Sequence, residues 1–162
     1  MHQKVCLICP EQGEFWQKPY SHLQGEGCPS CNESKMEKYI ANKLAEEDIK
    51  FVRSKRFKWL KSKGSMHLDF YLPDYMVAIE CQGIQHFEYG GWHKDIKDKE
   101  KYLKKNIERD ETKQKLCKEH NVKLLYYTTY DWKKTNISIY NKTNTFNTFN
   151  KIKNIIYDLR IQ

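Results

Sequence analysis

Residues 67–87 read HLDFYLPDYMVAIECQGIQHF, and here two runs of alternating apolar residues flank the turn-forming sequence LPDY. This pattern predicts an antiparallel β-hairpin. A turn centred on 74–75 sets Asp69 directly across from Glu80, whereas a turn centred on 73–74 leaves them diagonal neighbours. In both registers Gln82 shares the face of the two carboxylates. Two carboxylates on one rigid pleat can bind a divalent cation such as Mg2+ through hard oxygen ligands.

A sheet with one solvated polar face is the simpler interpretation, because antiparallel sheets commonly have such a face. The residues that follow the carboxylates favour a site instead. Gly83 breaks the strand directly after them, and the sequence QHF at 85–87 returns an imidazole, that of His86, to the same neighbourhood.

Asp69 together with ECQGIQHF at 80–87 resembles the core of PD-(D/E)xK nucleases. It is most similar to the branch that contains very-short-patch-repair endonucleases and related nucleases of phages and mobile elements. The resemblance implies a restriction-endonuclease-like α/β fold, with a mixed central sheet flanked by helices. It also implies hydrolysis of phosphodiester bonds in DNA, with Asp69 and Glu80 holding Mg2+, or Mn2+ in its place. His86 would then position or deprotonate water, or protonate the leaving oxygen.

The composition sets the outer bounds. A chain of 162 residues with net charge +8 fits one domain, or a small module plus a core domain, and favours a polyanionic partner. No apolar run is long enough to span a bilayer, and the N-terminal sequence lacks a signal-peptide core. We therefore expect a soluble intracellular protein that binds duplex DNA and no membrane. The oligomeric state is left open.

Four of the six cysteines form two pairs with the same spacing, Cys6-x2-Cys9 and Cys28-x2-Cys31. This spacing is typical of a tetrahedral structural zinc site, and disulfides are rare inside cells. A module of about thirty residues also has too little core to fold without such a cross-link. We therefore predict a zinc ribbon over residues 1–33.

The residues between the cysteine pairs resemble a zinc-binding module of phage nucleases that reads C-x2-H-G-x-F. Gln12 stands where that module has histidine. Cys6 is then the candidate replacement ligand, and His22 is held in reserve.

A helix is predicted over residues 34–48, and Glu37 in its first turn has two interpretations. With Ser34 it fits a capping box, which would use its carboxylate to hold the helix end. The sequence S-K-x-E also resembles the nuclease family, in which an acidic residue of the first helix is directed at the metal. We favour the second role, and one carboxylate does not easily fill both.

The sequence KFVRSKRF at 50–57 predicts a strand with four cationic side chains, followed by a polar loop at 61–64. Cationic and aromatic residues beside a metal site can hold a phosphate backbone. The alternative is an ordinary amphipathic strand whose lysines are solvated.

Residues 95–120 contain no glycine or proline and predict a long, largely exposed helix. Its sparse apolar stripe comprises Tyr102, Leu103, Ile107 and Leu116. Asp110 and Lys113 are spaced for an intrahelical ion pair. The run from Arg109 to Cys117 also resembles the R-D-x-x-K-x-x-[Y/L]-C helix of the nuclease family, which implies that Asp110 and Lys113 face the site.

Gln82 departs from the family motif, which has lysine two residues after the glutamate. An amide cannot supply the positive charge that orients water or stabilises the transition state. Either Lys113 substitutes for that lysine, or His86 carries the acid–base chemistry.

The remaining chain predicts a rim loop over 88–93, a buried strand over 122–127, a polar surface loop over 136–149 and a last helix over 150–161. Residues 34–162 would form the nuclease domain. Two other functions stay open: a catalytically degenerate module for nucleic-acid binding or assembly, and a protein that acts on RNA or binds a protein partner through its ribbon.

Overall fold

The computed structural model describes residues 3–9, 13–24, 28, 34–88 and 96–160. The chain divides into two compact units, Met1–Lys38 and Tyr39–Gln162. Gln12, Cys31 and all of the predicted rim loop except Glu88 lie outside the described residues.

The first unit contains a short antiparallel hairpin of β1 (Val5–Cys9) and β2 (Gly13–Gln17), followed by helix α1 (Pro19–Leu23). The hairpin pairs Cys9 with Gly13, whose φ of 76° is in the left-handed region that glycine adopts without strain.

The second unit is built on one sheet with strand order β3-β4-β5-β6-β7. Its strands are β3 (Val52–Lys55), β4 (Leu68–Leu72), β5 (Val77–Cys81), β6 (Lys123–Tyr127) and β7 (Thr145–Phe146). Its helices are α2 (Lys35–Glu46), which runs across the division between the units, α3 (Ile96–Glu119) and α4 (Phe149–Arg160). The first three strands are antiparallel, and β5, β6 and β7 run parallel. The predicted mixed sheet flanked by helices is therefore confirmed.

The predicted hairpin is formed by β4 and β5, which pair Phe70 with Ile79 and Leu72 with Val77. A single 3-10 turn connects them, and Met76 closes it with φ of 52°. Continued by one residue, this register sets Asp69 directly opposite Glu80. The chain therefore uses the first of the two predicted registers.

Helices cover both faces of the sheet. On one face, α2 and α4 are joined through Glu47, which accepts hydrogen bonds of 2.8 Å from Lys153 Nζ and Tyr157 Oη, and Tyr39 of α2 stacks on Tyr127 of β6. On the other face α3 packs through Cys117 into an apolar cluster. The alternative of a solvated polar face is therefore wrong, since the carboxylate face is also covered.

The buried face of α3 is mainly polar. The predicted apolar stripe is confirmed only in part: Tyr102 is exposed, the other three members are half-buried, and of these Leu116 packs against the apolar cluster. Among the side chains of α3 that the structure describes, the buried ones are those of Asn106, Asp110, Lys113 and Cys117. Their spacing of four, three and four residues follows one face of an α-helix. Polar residues occupy that face because the site beneath it supplies their partners.

The segment predicted as a surface loop at 136–149 is instead packed, and this prediction is wrong. It contributes β7, and Ile139, Tyr140, Asn144 and Phe146 in it are buried. Asn144 holds the segment together, because its Nδ2 donates to Ile139 O at 2.8 Å and its Oδ1 accepts from Asn141 N at 2.9 Å. Strand β6 and helix α4 agree with the predictions for 122–127 and 150–161.

Among the helices that the structure describes, none combines the length and apolar character that crossing a bilayer requires.

Candidate active site

The two carboxylates of the hairpin bind each other's strand. Asp69 N donates to Glu80 Oε1 at 3.0 Å, and Cys81 N donates to Asp69 Oδ2 at 2.9 Å. These bonds are made just beyond Phe70 and Ile79 in the ladder. The carboxylates are thus fixed by the backbone at the open end of the hairpin, one on each strand.

Burial makes the negative charge at this position costly. It raises the pKa of Asp69 to about 6, with the adjacent Glu80 as the second cause. Burial likewise raises the pKa of Glu80, although the charge of Lys113 and its hydrogen bond oppose the rise. Two carboxylates that lie close together in low dielectric are stabilised by a cation.

Lys113 provides one such cation. Its Nζ lies 2.5 Å from Glu80 Oε2, and the two side chains are only 7% and 5% exposed. Lys113 therefore faces the hairpin, as the resemblance implied, and its partner is Glu80 of β5, not Asp110 of its own helix. Helix α3 brings to the glutamate the positive charge that Gln82 cannot carry.

His86 forms a second buried polar pair with another residue of α3, Asp110. It ends the 3-10 turn Ile84–His86, and its Nδ1 lies 2.6 Å from Asp110 Oδ2. An ionised carboxylate only accepts hydrogen bonds, so a neutral imidazole paired with it donates from Nδ1 and keeps Nε2 as the acceptor nitrogen. Tyr140 Oη donates to the same Asp110 oxygen at 2.9 Å.

Tyr140 was missed in the sequence because it lies within the supposed polar loop. Burial raises its pKa, with the charge of Asp110 as the next cause. The phenol therefore stays protonated and remains a donor to Asp110. The local signal for its burial was the group of apolar residues Ile137, Ile139 and Tyr140 within an otherwise polar segment.

Gln82 is buried on the carboxylate face, as predicted, at 1% exposure. Its Nε2 has no hydrogen-bond partner among the described residues. At Gly83 a Cβ would lie 2.4 Å from Gln85 Oε1, so a larger residue there would require the flexible Gln85 side chain to move. The strand therefore ends with a close approach between backbone and side chain.

His67 is a further residue of the site that the sequence did not single out. Its Nε2 lies 3.7 Å from Asp69 Oδ1. Burial lowers the pKa of His67, and the positive charge of Lys113 adds to that effect. The positively charged form of the imidazole beside Asp69 is therefore disfavoured.

Glu37 caps α2. Its Oε1 accepts from Ser34 Oγ at 2.9 Å, and its backbone N donates to Ser34 Oγ at 3.1 Å. These contacts form the capping interaction that the sequence offered as one of two roles. Glu37 belongs to the first unit and the carboxylate hairpin to the second. Its favoured role at the metal stays a prediction.

The cysteines of the first unit differ in environment. Cys9 and Cys28 are buried, whereas Cys6 is exposed. Cys6 and Cys9 are three residues apart in the continuous strand β1, so their side chains leave opposite faces of it. Cys31 lies outside the described residues, and the zinc ribbon stays a prediction.

Within the described ranges, no group of three or more His, Cys, Asp or Glu side chains is arranged to hold a metal ion. A pair of carboxylates nevertheless suits Mg2+, which keeps several waters and is commonly bound through one or two carboxylates plus substrate phosphate. Asp69 and Glu80 fit that requirement, because both carboxylates lie at the same end of the hairpin and each is held by the backbone of the opposite strand.

Comparison of the chain with protein-family models and with curated proteins found no match.

Proposed function

We propose that this protein is a metal-dependent endonuclease that hydrolyses phosphodiester bonds in DNA. One observation carries the proposal: helix α3 meets the hairpin and the 3-10 turn that follows it through two buried polar pairs. Lys113 contacts Glu80, and Asp110 contacts His86. Each buried polar side chain needs a partner, and ionisable groups with perturbed pKa values cluster at functional sites.

Asp69 and Glu80 would hold the divalent cation. When bound, Mg2+ polarises a phosphate oxygen and lowers the pKa of a coordinated water. The raised pKa of Asp69 supports this assignment, since a buried carboxylate pair gains most from a cation. The reciprocal backbone bonds hold both carboxylates in register for the same ligand.

His86 would exchange the proton. Asp110 accepts from Nδ1 and thereby orients the ring and fixes its tautomer, which leaves Nε2 to accept a proton from water. Tyr140 acts through Asp110 and is a positioning residue.

Lys113 would take the place of the motif lysine. Its ammonium group lies against Glu80 and can stabilise the negative charge that develops on the phosphate. Gln82 would contribute an orienting amide, because its Nε2 is a donor that has no partner in the described part of the chain.

The fold of residues 34–162 would be restriction-endonuclease-like, and residues 1–33 would form a zinc ribbon held by Cys6, Cys9, Cys28 and Cys31. The mixed sheet with helices on both faces supports the first assignment. The β1–β2 hairpin and the burial of Cys9 and Cys28 support the second. Four protein ligands would make the zinc structural.

A catalytically degenerate module for nucleic-acid binding is the second candidate. Both Glu80 oxygens already have protein partners, the Asp69 amide and the Lys113 ammonium group. In such a protein the ion pair would serve the fold alone.

Cleavage of supercoiled plasmid in Mg2+, Mn2+ or EDTA tests the proposal, with the isosteric variants Asp69→Asn and Glu80→Gln. Asp74→Asn is the matched control, because Asp74 lies exposed in the turn of the same hairpin. We expect nicking or linearisation that requires metal, is kept by the control and falls at least about a hundredfold in both site variants.

Wild-type protein that stays inert with every metal, while it and both variants bind DNA equally, would contradict the endonuclease and favour the binding module. Far-UV circular dichroism verifies that each variant is folded. Parallel assays with duplex DNA, single-stranded DNA and RNA identify the substrate class.

A further inference from the structure

A basic groove lies between the loop that precedes β4 and the first half of α3. Its cavity measures about 740 Å3. The cationic side chains that line it are Lys63, Lys101, Lys104, Lys105 and Arg109. Among the described residues that line it, Glu108 is the only acidic one. The groove therefore carries a strong positive potential.

The α3 side of the groove is a continuous helical stripe. Lys101, Lys105, Glu108 and Thr112 follow one another at spacings of four, three and four residues. This stripe lies next to the buried stripe that carries Asp110 and Lys113. One helix therefore presents adjacent faces to the groove and to the candidate active site.

Asn106 connects the groove to the site directly. It lines the groove, and its Nδ2 donates to Gln85 O at 3.2 Å, one residue before His86. Any chain that occupies the groove beside Asn106 is thus close to the His86 turn.

The loop wall of the groove also leads to the carboxylates, because Met66 lines the groove and His67 follows it directly in the chain. Arg109 lines the groove, and Arg56 bonds Ser65 in its loop wall. His67 in turn lies 3.7 Å from Asp69.

We propose that this groove binds the phosphodiester backbone of one strand of duplex DNA and leads it to Asp69 and Glu80. The inference rests on the proposed function, since it deepens it by assigning the surface that receives the substrate. A row of cations matches a row of phosphates, which position nucleic acid without reading its sequence. Met66 is the main apolar side chain in the lining, so an acidic peptide would find few anchors there.

The test compares two double variants of the same helix. Lys101→Ala/Lys105→Ala removes two charges from the groove, and Lys115→Ala/Lys118→Ala removes two exposed charges from the other end of α3. Fluorescence anisotropy with a labelled duplex, in EDTA and over a salt series, measures affinity without cleavage.

We expect the groove variant to bind the duplex at least roughly tenfold more weakly than wild type. The slope of its log affinity against log salt concentration should be shallower by about 0.9 for each of the two phosphate contacts removed. The control should follow wild type. Equal affinities and slopes for the two variants would contradict the assignment of the groove as the DNA-binding surface. Wild-type protein that does not bind the duplex at low salt would also contradict it. Tighter binding of single-stranded DNA or RNA than of the duplex would contradict duplex DNA as the ligand of the groove.

The two proposals fail separately. If plasmid stays uncut while the groove variant alone loses affinity, the proposed endonuclease activity is contradicted and the proposed DNA-binding groove is supported. If plasmid is cut in a Glu80-dependent way while both double variants bind alike, the groove fails and the endonuclease stands.

Discussion

Lys113 Nζ lies 2.5 Å from Glu80 Oε2, although the two residues are 33 positions apart. Both side chains are buried, so each charge depends on the other. A buried pair of this kind is costly to break, because the partner left behind cannot return to water.

The first prediction concerns stability. Lys113→Met leaves Glu80 as a buried, unpaired carboxylate and should lower the free energy of unfolding by about 3–5 kcal/mol. Urea denaturation measures this loss. Lys115→Met is the control on the same helix. Lys115 is exposed, and its Nζ forms a loose surface ion pair with Glu119 at 3.9 Å, so its loss should change the free energy of unfolding by less than about 0.5 kcal/mol. The double variant Glu80→Gln/Lys113→Met should recover part of the loss, and no recovery would contradict the pairing.

The second prediction concerns pH. Burial, followed by the charge of Glu80, raises the pKa of Asp69 from 3.8 to about 6. Between these values the folded state keeps a proton that the unfolded state has released, so the free energy of unfolding falls as the pH rises. The raised pKa of Glu80 acts in the same direction. Because Mg2+ needs ionised carboxylates, its affinity should increase as the pH rises through about 6.

Thermal melts between about pH 4 and 8, in EDTA and in Mg2+, test this prediction. The stabilisation by Mg2+ should be small at the acid end and larger near neutrality. Asp69→Asn should flatten the EDTA profile between about 4 and 6. A profile that is the same in Asp69→Asn and wild type would contradict the assigned shift.

The third prediction concerns Tyr140. Tyr140→Phe removes the donor to Asp110 and should cost about 1.5–3 kcal/mol, as is typical of a hydrogen bond to a charged group. Tyr157→Phe, which removes a half-buried bond to Glu47, should cost less. If Tyr140 positions His86 through Asp110, its variant should also shift the pH profile of cleavage, whereas Tyr157→Phe should not. Identical profiles would limit Tyr140 to a structural role.

The fourth prediction concerns zinc. Cys9 and Cys28 are buried, whereas Cys6 is exposed and leaves the opposite face of β1. Cys9→Ser and Cys28→Ser should therefore lose more bound zinc than Cys6→Ser, as measured by metal analysis of purified protein. Equal loss in all three variants would make Cys6 a full ligand. Full zinc content in all three would exclude these cysteines as ligands.

The sequence was informative where the relevant interactions are local. Alternation on either side of LPDY predicted the hairpin, and a turn centred on 74–75 was one of its two registers. The bounds of α3 and α4 were predicted to within one residue, those of α3 from a run without glycine or proline. Each of these predictions depends on residues within a few positions of one another.

The errors have one physical origin. Apolar spacing on α3 gave no sign that Asn106, Asp110 and Lys113 are buried while Tyr102 is exposed. Only the resemblance directed Asp110 and Lys113 at the site. Hydropathy ranks a lysine as solvent-exposed whether it meets water or a buried glutamate. The same error turned the segment that contains Tyr140 into a surface loop.

The residues of this chain are sufficient to predict a hairpin that carries Asp69 and Glu80 on one face, because strand periodicity is a local property. Packing of α3 across the sheet determines that Lys113 meets Glu80 and that Asp110 joins His86 to Tyr140. These contacts form between segments distant in sequence, and a buried charge has no local signature until its partner is known.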